Sequence, residues 1–450
     1  MRDTWREAVV AGRYASPMRQ LYLAATGMNR GKTTVALGLL AALIDRGLDT
    51  GFIKPVGQRY AIVDGQPADE DAILMRSALG LPDALSDMSP VHIPRGFTRA
   101  YIRGELTVDL PRRIRRAHRR VAENRQAVLI EGTGHAGVGA VVGLSNAIVA
   151  RMLRAPALIV AEAGVGRPID EIVLNHALFA RHGVEVVGAI VNKVDATAHP
   201  SLPEVLREGL ARHGIELLGM IPYRPLLSNP TLSMLLDQMS GELLSAGPDL
   251  DSVIEHVAIG AMQPRHLVEQ VGPGSLLIVP GDRSDVISAT LAAVRASRDG
   301  AERRGLFGVG RRRGFGRSPN DPSRTELAGI VLTGGYRPRS RDLDAIRGAG
   351  IFAYLVEHDT YAAASEVHDL LVKTHPADRD KIALIKQLAA EHLDVERIYQ
   401  RFAEPAALPA PAAGAVLPAG AALVREVGRG VRRGVSAGLR GLGRREAGSR

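Results

Sequence analysis

No cysteine occurs among the 450 residues. Disulfides, thiolate nucleophiles and Cys-ligated zinc are therefore excluded. Helical metal spacing is missing as well: the thirteen His are scattered, and no two sit one helical turn apart. The chain holds no uninterrupted apolar run of about 18 residues, so no membrane span is expected. Its first twenty residues, MRDTWREAVVAGRYASPMRQ, lack the continuous apolar segment of a secretory signal. The cytoplasm is the expected location.

What is present is ordinary globular composition, with 46 % hydrophobic residues. The length favours two or three domains. The net charge of +9 suggests a nucleic-acid partner until its distribution is read. Residues 298–325 carry eight Arg against three acids, and residues 404–450 carry the same balance, +5 each. Everything else sums to about −1. A nucleic-acid reader needs its charge on a folded surface, so no specific nucleic acid is expected. Both basic segments have too few large apolar residues for a core and read as disordered.

Residues 21–25 (LYLAA) read as a buried strand, followed by a Gly-containing loop and an apolar helix from Thr33 to about Arg46. Further apolar strands are expected at 51–54, 127–130, 157–160, 186–191 and 217–221, with a basic helix at 112–125. Most of these runs are continuous, and helical patterns separate them. Strands buried on both faces and alternating with helices indicate a three-layer α/β unit with a mostly parallel sheet. The pattern resumes with strands at 275–280, 328–333 and 351–355 and helices at 285–297, 340–347 and 361–373. The expected organisation is an extension (1–20), a first α/β domain (21–245), a second smaller α/β domain (250–400) with the insertion 298–325, and a basic tail (404–450).

The strongest chemical signal is ATGMNRGKTT, Ala25 to Thr34, between a buried strand and an apolar helix. That is the context of a phosphate-binding loop. Backbone N–H groups from Gly27, Met28, Asn29, Arg30 and Gly31 to Lys32, Thr33 and Thr34 would face phosphates at a helix N-terminus. Lys32 would reach the outer phosphates, as a catalytic cation, and the Thr33 hydroxyl would hold Mg²⁺. Thr26 stands where the usual first glycine belongs, so the loop is a variant.

Glu131 closes the strand 127–130 and would point into the crevice at its carboxyl end. Asp71 follows the second strand, in Asp69-Glu70-Asp71. Mg²⁺ takes one or two carboxylates plus phosphate oxygens and water, so Thr33, Asp71 and Glu131 form a candidate metal set. The alternative for the acidic triplet is a solvated helix start. Lys54 ends its strand and faces either the crevice, as a catalytic cation, or simply the sheet edge. Asn192-Lys193-Val194-Asp195 closes the fifth strand. Asn-Lys-x-Asp reads guanine in many phosphate-loop proteins, which puts Asn192 and Asp195 at the base site without fixing GTP over ATP.

These pieces in this order resemble one family. GMNRGKTT, Lys54-Pro55-Val56, Asp71-Ala72, Glu131-Gly132-Thr133-Gly134 and Asn192 are similar to the dethiobiotin synthetase fold. They are more similar still to the dethiobiotin-synthetase-like N-terminal region of long phosphate acetyltransferases. Pro280-Gly281-Asp282-Arg283-Ser284-Asp285, Leu332-Thr333-Gly334-Gly335 and Asp359-Thr360-Tyr361 resemble the DRTGG domain that follows that region. The resemblance covers about residues 20–400. It implies ATP as nucleotide, Mg²⁺ as metal, and a substrate-binding role for Lys54. A homodimer is also implied.

Two departures shape the functional expectation. No acetyltransferase catalytic domain follows residue 400, so acetyl transfer by these 450 residues is not expected. Thr26-Gly27-Met28 replaces an acidic segment of the synthetases. The leading expectation is a regulatory or scaffold protein that binds and slowly hydrolyses a nucleoside triphosphate. The alternative is an ATP-dependent ligase that activates a small carboxylate or carbamate as an acyl phosphate, with His135 near that substrate. A third expectation is binding of an acidic polymer or membrane by the two Arg-rich segments.

Overall fold

A computed structural model describes residues 18–195, 197, 199–247, 249–305, 327–370 and 372–403, with only the backbone of 297–305. The expected extension up to residue 17, the insertion from residue 306 and the tail 404–450 lie outside the described residues. Two compact units emerge, one from the start to Tyr223 and from Thr374 onward, the other Arg224–Lys373.

In the first unit the sheet strands are β1 (Arg19–Ala25), β2 (Thr50–Ile53), β3 (Ala127–Glu131), β4 (Ala157–Glu162), β5 (Val186–Val194) and β6 (Leu217–Pro222). Their order is β6-β5-β4-β1-β3-β2, and every pair is parallel. The continuous apolar runs exist because helices cover both faces. Strand order reverses around β1, so a ligand crevice opens at its carboxyl end.

The helices are α1 (Lys32–Ile44), α2 (Glu70–Leu79), α3 (Leu110–Ala122), α4 (Asn146–Leu153), α5 (Arg167–Arg181) and α6 (Leu202–Ala211). Side chains alternate across each strand. Tyr22, Ala24, Val128 and Ile130 therefore share a core with Ile114 and Val121 of α3 and with Ala147 and Ala150 of α4. The helix α1 is apolar on every side, and ten of its residues are buried. Near-zero charge over the described part hides one concentration: Arg112, Arg113, Arg115, Arg116, Arg119 and Arg120 stand exposed on α3. A short antiparallel hairpin, Tyr60–Val63 with Gln66–Asp69, leads into α2.

The second unit holds β7 (Glu242–Ser245), β8 (His256–Ile259), β9 (Ser275–Pro280), β10 (Gly329–Thr333) and β11 (Phe352–Leu355). Their order is β7-β11-β10-β9-β8, parallel except for β7. Its helices include α7 (Ser284–Gly305), α8 (Ser340–Gly348) and α9 (Thr360–His368). Val286, Ile287 and Ile346 of α7 and α8 pack on one face of the sheet, while Ala363 and Val367 of α9 pack on the other. The helix α7 runs through the first eight residues of the expected insertion.

Beyond residue 373 the expected boundary needs correction. The helices α10 (Arg379–His392) and α11 (Val395–Gln400) belong to the first unit, not to the second. An all-apolar α1 needs a cover on its outer side, and α10 supplies it. Gly38 permits the approach: a Cβ there would lie 2.5 Å from the Ala389 Cβ. Backbone bridges Gly219–Leu393 and Gln20–Ala403 then fasten the returning segment. The first unit also ends at Tyr223, earlier than the expected residue 245. Thr231 bridges Val253, and the residues that follow pack on the second sheet. No helix of the described residues is long and apolar enough to cross a membrane.

Candidate functional site

The loop after β1 is shaped by two left-handed residues, Asn29 (φ +57°) and Gly31 (φ +87°). Glycine meets no penalty there, whereas a Cβ at Gly31 would stand 2.0 Å from the Asn192 Nδ2. Asn192 is buried at the end of β5 and donates to the Arg30 carbonyl at 3.2 Å. It therefore fastens the loop from behind. Arg30 itself pairs with Glu162 of β4 and stands 3.7 Å from Glu171 of α5. Lys193 joins the same group, 3.0 Å from Glu162. Part-burial pushes the Glu162 carboxyl up, but Lys193 and Arg30 together hold it below its ordinary range. Among the described residues, the N–H groups from Gly27 to Gly31 meet no acceptor. Met28 is exposed, and Asp195 is exposed and accepts the Thr197 N–H at 3.1 Å.

Lys32 and Thr33 open α1. The Thr33 hydroxyl lies 3.1 Å from the Glu131 Oε1. Lys54 follows β2, and its backbone N–H is fixed by the Met88 carbonyl at 2.7 Å. Its ammonium pairs with Asp71 and stands 3.3 Å from the Asp69 Oδ1 and 3.8 Å from the Glu131 Oε1. Asp69 is the N-cap of α2, accepting the Asp71 N–H at 3.0 Å. The acidic triplet is thus both a helix start and part of the charged cluster.

Burial disfavours every charge in this cluster, and neighbours decide the outcome. Burial lowers Lys54, but Asp71, Glu131 and Asp69 reverse the effect and hold it above the usual lysine range. Burial carries Lys32 below that range. Burial would raise Asp71, yet Lys54 and then Lys32 and Thr33 bring it below an ordinary aspartate. Asp69 is pushed up to about 6, mainly by burial. Glu131 is pushed up to about 8 by burial and by Asp71.

The structure brings Lys32, Thr33, Lys54, Asp71 and Glu131 together, as a candidate site requires. Three supporting residues stand outside the candidate set: Asp69, named only as part of the acidic triplet, and Asn146 and Glu162, which carry no signal in the sequence. Asp69 adds a third carboxylate. Buried Asn146 holds the loop after β3, accepting from the Tyr22 hydroxyl (2.8 Å) and the Thr133 N–H (3.1 Å). It also donates to the carbonyls of Thr133 (2.8 Å) and His135 (2.7 Å). Glu162 ties the phosphate loop to β4. The His135 ring is exposed and accepts the Gly137 N–H at 3.2 Å.

The residues fit a hard divalent cation. Glu131 is 1 % exposed, and its Oε2 has no hydrogen-bond partner. The donors are all oxygen, which suits Mg²⁺. Among the described residues no three His, Asp or Glu converge into a complete metal cage. Mg²⁺ needs none, since phosphate oxygens and water complete its shell.

This fold and loop define a P-loop NTPase-type domain, accompanied by a smaller α/β domain. The family model described as an AAA domain matches residues 19–231, and that of the DRTGG domain matches residues 234–370. The chain is homologous to the N-terminal region of phosphate acetyltransferases and to dethiobiotin synthetase. The phosphate acetyltransferase of Pseudomonas aeruginosa is 26 % identical over 408 residues, covering 86 % of this chain and 53 % of that protein. The chain thus spans about half the length of the acetyltransferases it matches. The ATP-dependent dethiobiotin synthetase of Anaeromyxobacter dehalogenans is 29 % identical over 209 residues, covering 46 % of this chain and 92 % of that one. Among solved structures, the MinD cell division protein of Aquifex aeolicus aligns with a TM-score of 0.31 at 15 % identity, over 46 % of this chain and 84 % of that chain.

Proposed function

We propose that the first unit binds ATP with Mg²⁺ and hydrolyses it slowly, and that the chain acts as a regulatory or scaffold protein. The carrying observation is the loop from Gly27 to Gly31, whose N–H groups meet no acceptor among the described residues, ending on Lys32 and Thr33. Such a loop offers several donors and a helix N-terminus to phosphate oxygens. Lys32 stabilises charge on the transferred phosphoryl group. Thr33, Asp71 and Glu131 would hold the metal ion, which would supply neutralising positive charge to the phosphates. Asn192 keeps the loop in register, and Asp195 stands near the base end of β5. ATP is preferred to GTP because a relative spanning the first unit is described as ATP-dependent. The carboxylates of the cluster are committed to Lys54 or to the metal, leaving none to orient an attacking water, so hydrolysis is slow.

The test is phosphate release from Mg·ATP under single-turnover conditions, with wild type and Lys32→Ala. Slow, Mg²⁺-dependent release that vanishes in Lys32→Ala supports the reading. Release at the same rate in both proteins overturns it. A second reading, ligation of the dethiobiotin synthetase type, is favoured by the Lys54 ammonium beside the crevice. Phosphate release that requires an added diamine and bicarbonate, with a cyclic urea as product, would select ligation. The proposed homodimer is read directly by light scattering.

A further inference from the structure

We propose that Lys54 is the resident cation of the metal site: in the nucleotide-free protein its ammonium occupies the place of the divalent ion and must swing out before metal binds. The proposal rests on the metal assignment of the proposed function.

The geometry carries it. Three carboxylates from two segments converge on one ammonium: Asp69 and Asp71 at the start of α2, and Glu131 at the end of β3. Two of the three, Asp71 and Glu131, are the carboxylates of the candidate metal set. Lys54 is 8 % exposed, so its charge is spent inside the cluster and not in solvent. Glu131 keeps one buried oxygen with no partner. The site therefore has more acceptor capacity than the ammonium uses, as expected of a site built for a denser cation.

Charge balance points the same way. Even with every carboxylate ionised, Asp69, Asp71 and Glu131 against charged Lys32 and Lys54 leave only one excess negative charge. A divalent ion added beside an unmoved Lys54 would overshoot to a net positive charge. It would also set two cations a few ångströms apart in a poorly screened interior, where repulsion is strong. Exchange avoids this conflict. The backbone of Lys54 is pinned by the Met88 carbonyl and followed by Pro55, so the four-carbon side chain is what moves. A swing away from the carboxylates brings the ammonium toward the side of the crevice where phosphate oxygens would lie. Metal and nucleotide then assist each other: phosphate offers Lys54 a new partner, and the vacated carboxylates take the ion. Such coupling is reciprocal by necessity.

The test uses the full chain without nucleotide, titrated with Mn²⁺ and followed by electron paramagnetic resonance of the free ion. Wild type and Lys54→Arg should bind weakly. Lys54→Met should bind Mn²⁺ about tenfold tighter or more, since the competing cation is gone. Adding Glu131→Gln to Lys54→Met should cancel the gain. Lys54→Met leaves buried carboxylates uncompensated, so its thermal midpoint is measured in parallel and should rise with Mn²⁺ far more than that of wild type. A folded Lys54→Met that binds Mn²⁺ no tighter than wild type overturns the proposal. So does an unfolded Lys54→Met that saturating Mn²⁺ does not rescue. If Lys54→Met gains Mn²⁺ while wild type binds no ATP, the nucleotide reading falls and the cation exchange stands.

Discussion

An alanine at Gly31 would meet two separate costs, and they can be pulled apart. The backbone there has φ +87°, where an L side chain costs about 1–2 kcal/mol. The new Cβ would also lie 2.0 Å from the Asn192 Nδ2 and 3.1 Å from its Cγ. Contact that close is relieved only if Asn192 leaves, and with it goes the hydrogen bond to the Arg30 carbonyl. That bond contributes about 1 kcal/mol. The two costs together give about 2–3 kcal/mol for Gly31→Ala. Asn192→Ala alone should cost about 1 kcal/mol. In the double mutant the bond is lost only once and the collision disappears. Adding Asn192→Ala to Gly31→Ala should therefore cost nothing further or restore stability. Urea midpoints at constant slope measure all four proteins, and the double-mutant cycle gives the coupling. Simple additivity of the two single costs would refute the claim that Asn192 buttresses the phosphate loop.

Three further outcomes follow from other parts of the molecule. His118 is 8 % exposed, donates to the Gln20 Oε1 at 2.8 Å, and burial pushes its pKa from 6.5 down to about 4. The unfolded chain binds this proton first, so its stabilisation is complete above pH 6.5 and is lost as pH falls to about 4, by about 3 kcal/mol in all. Urea midpoints at several pH values should show His118→Gln flatter than wild type over that window; parallel profiles would contradict the assignment. Asn146→Ala removes four hydrogen bonds around the Glu131 loop and should cost about 2–3 kcal/mol, read from the thermal midpoint, with Tyr22→Phe costing about 1. In the second unit, a Cβ at Gly281 would lie 1.6 Å from the Tyr336 carbonyl oxygen, a backbone atom that cannot rotate away. Gly281→Ala should raise the amide hydrogen exchange of β9 and β10, and protection equal to wild type would contradict the packing.

Much of the sheet was legible because burial on both faces leaves a strong trace. Short continuous runs rich in branched residues, such as AVLI at 127–130 and ALIV at 157–160, set between helical patterns, favour buried strands, and the structure has them as β3 and β4. The Gly31-Lys32-Thr33 junction was legible for a related reason: strand, loop and apolar helix follow one another without a gap. The returning segment was not. The amphipathic pattern of DKIALIKQLAAEH states that one side is buried, not against what. Yet the sequence of α1 held a usable sign, since an all-apolar helix cannot have a solvent side.

The candidate site divides in the same way. Glu131 was readable from its place at the end of a buried run, because strand direction aims it into the crevice. Glu162 and Asn146 were not, since each acts through a partner far away in the chain: Arg30 and Tyr22. Pairwise geometry of that kind leaves no periodicity to read. The net charge misled in a smaller way. Sums over long segments cancel, and the six exposed arginines of α3 vanish into a balanced total.

Binding of Mg·ATP to wild type and Lys32→Ala, measured by calorimetry with Mg·GTP in parallel, tests the central claim most directly. Saturable binding of one ATP per chain, weaker binding of GTP, and loss of both in Lys32→Ala is the predicted result. No binding of either nucleotide to a folded wild-type chain would mean that the variant loop has no nucleotide partner, and the proposed function would fail.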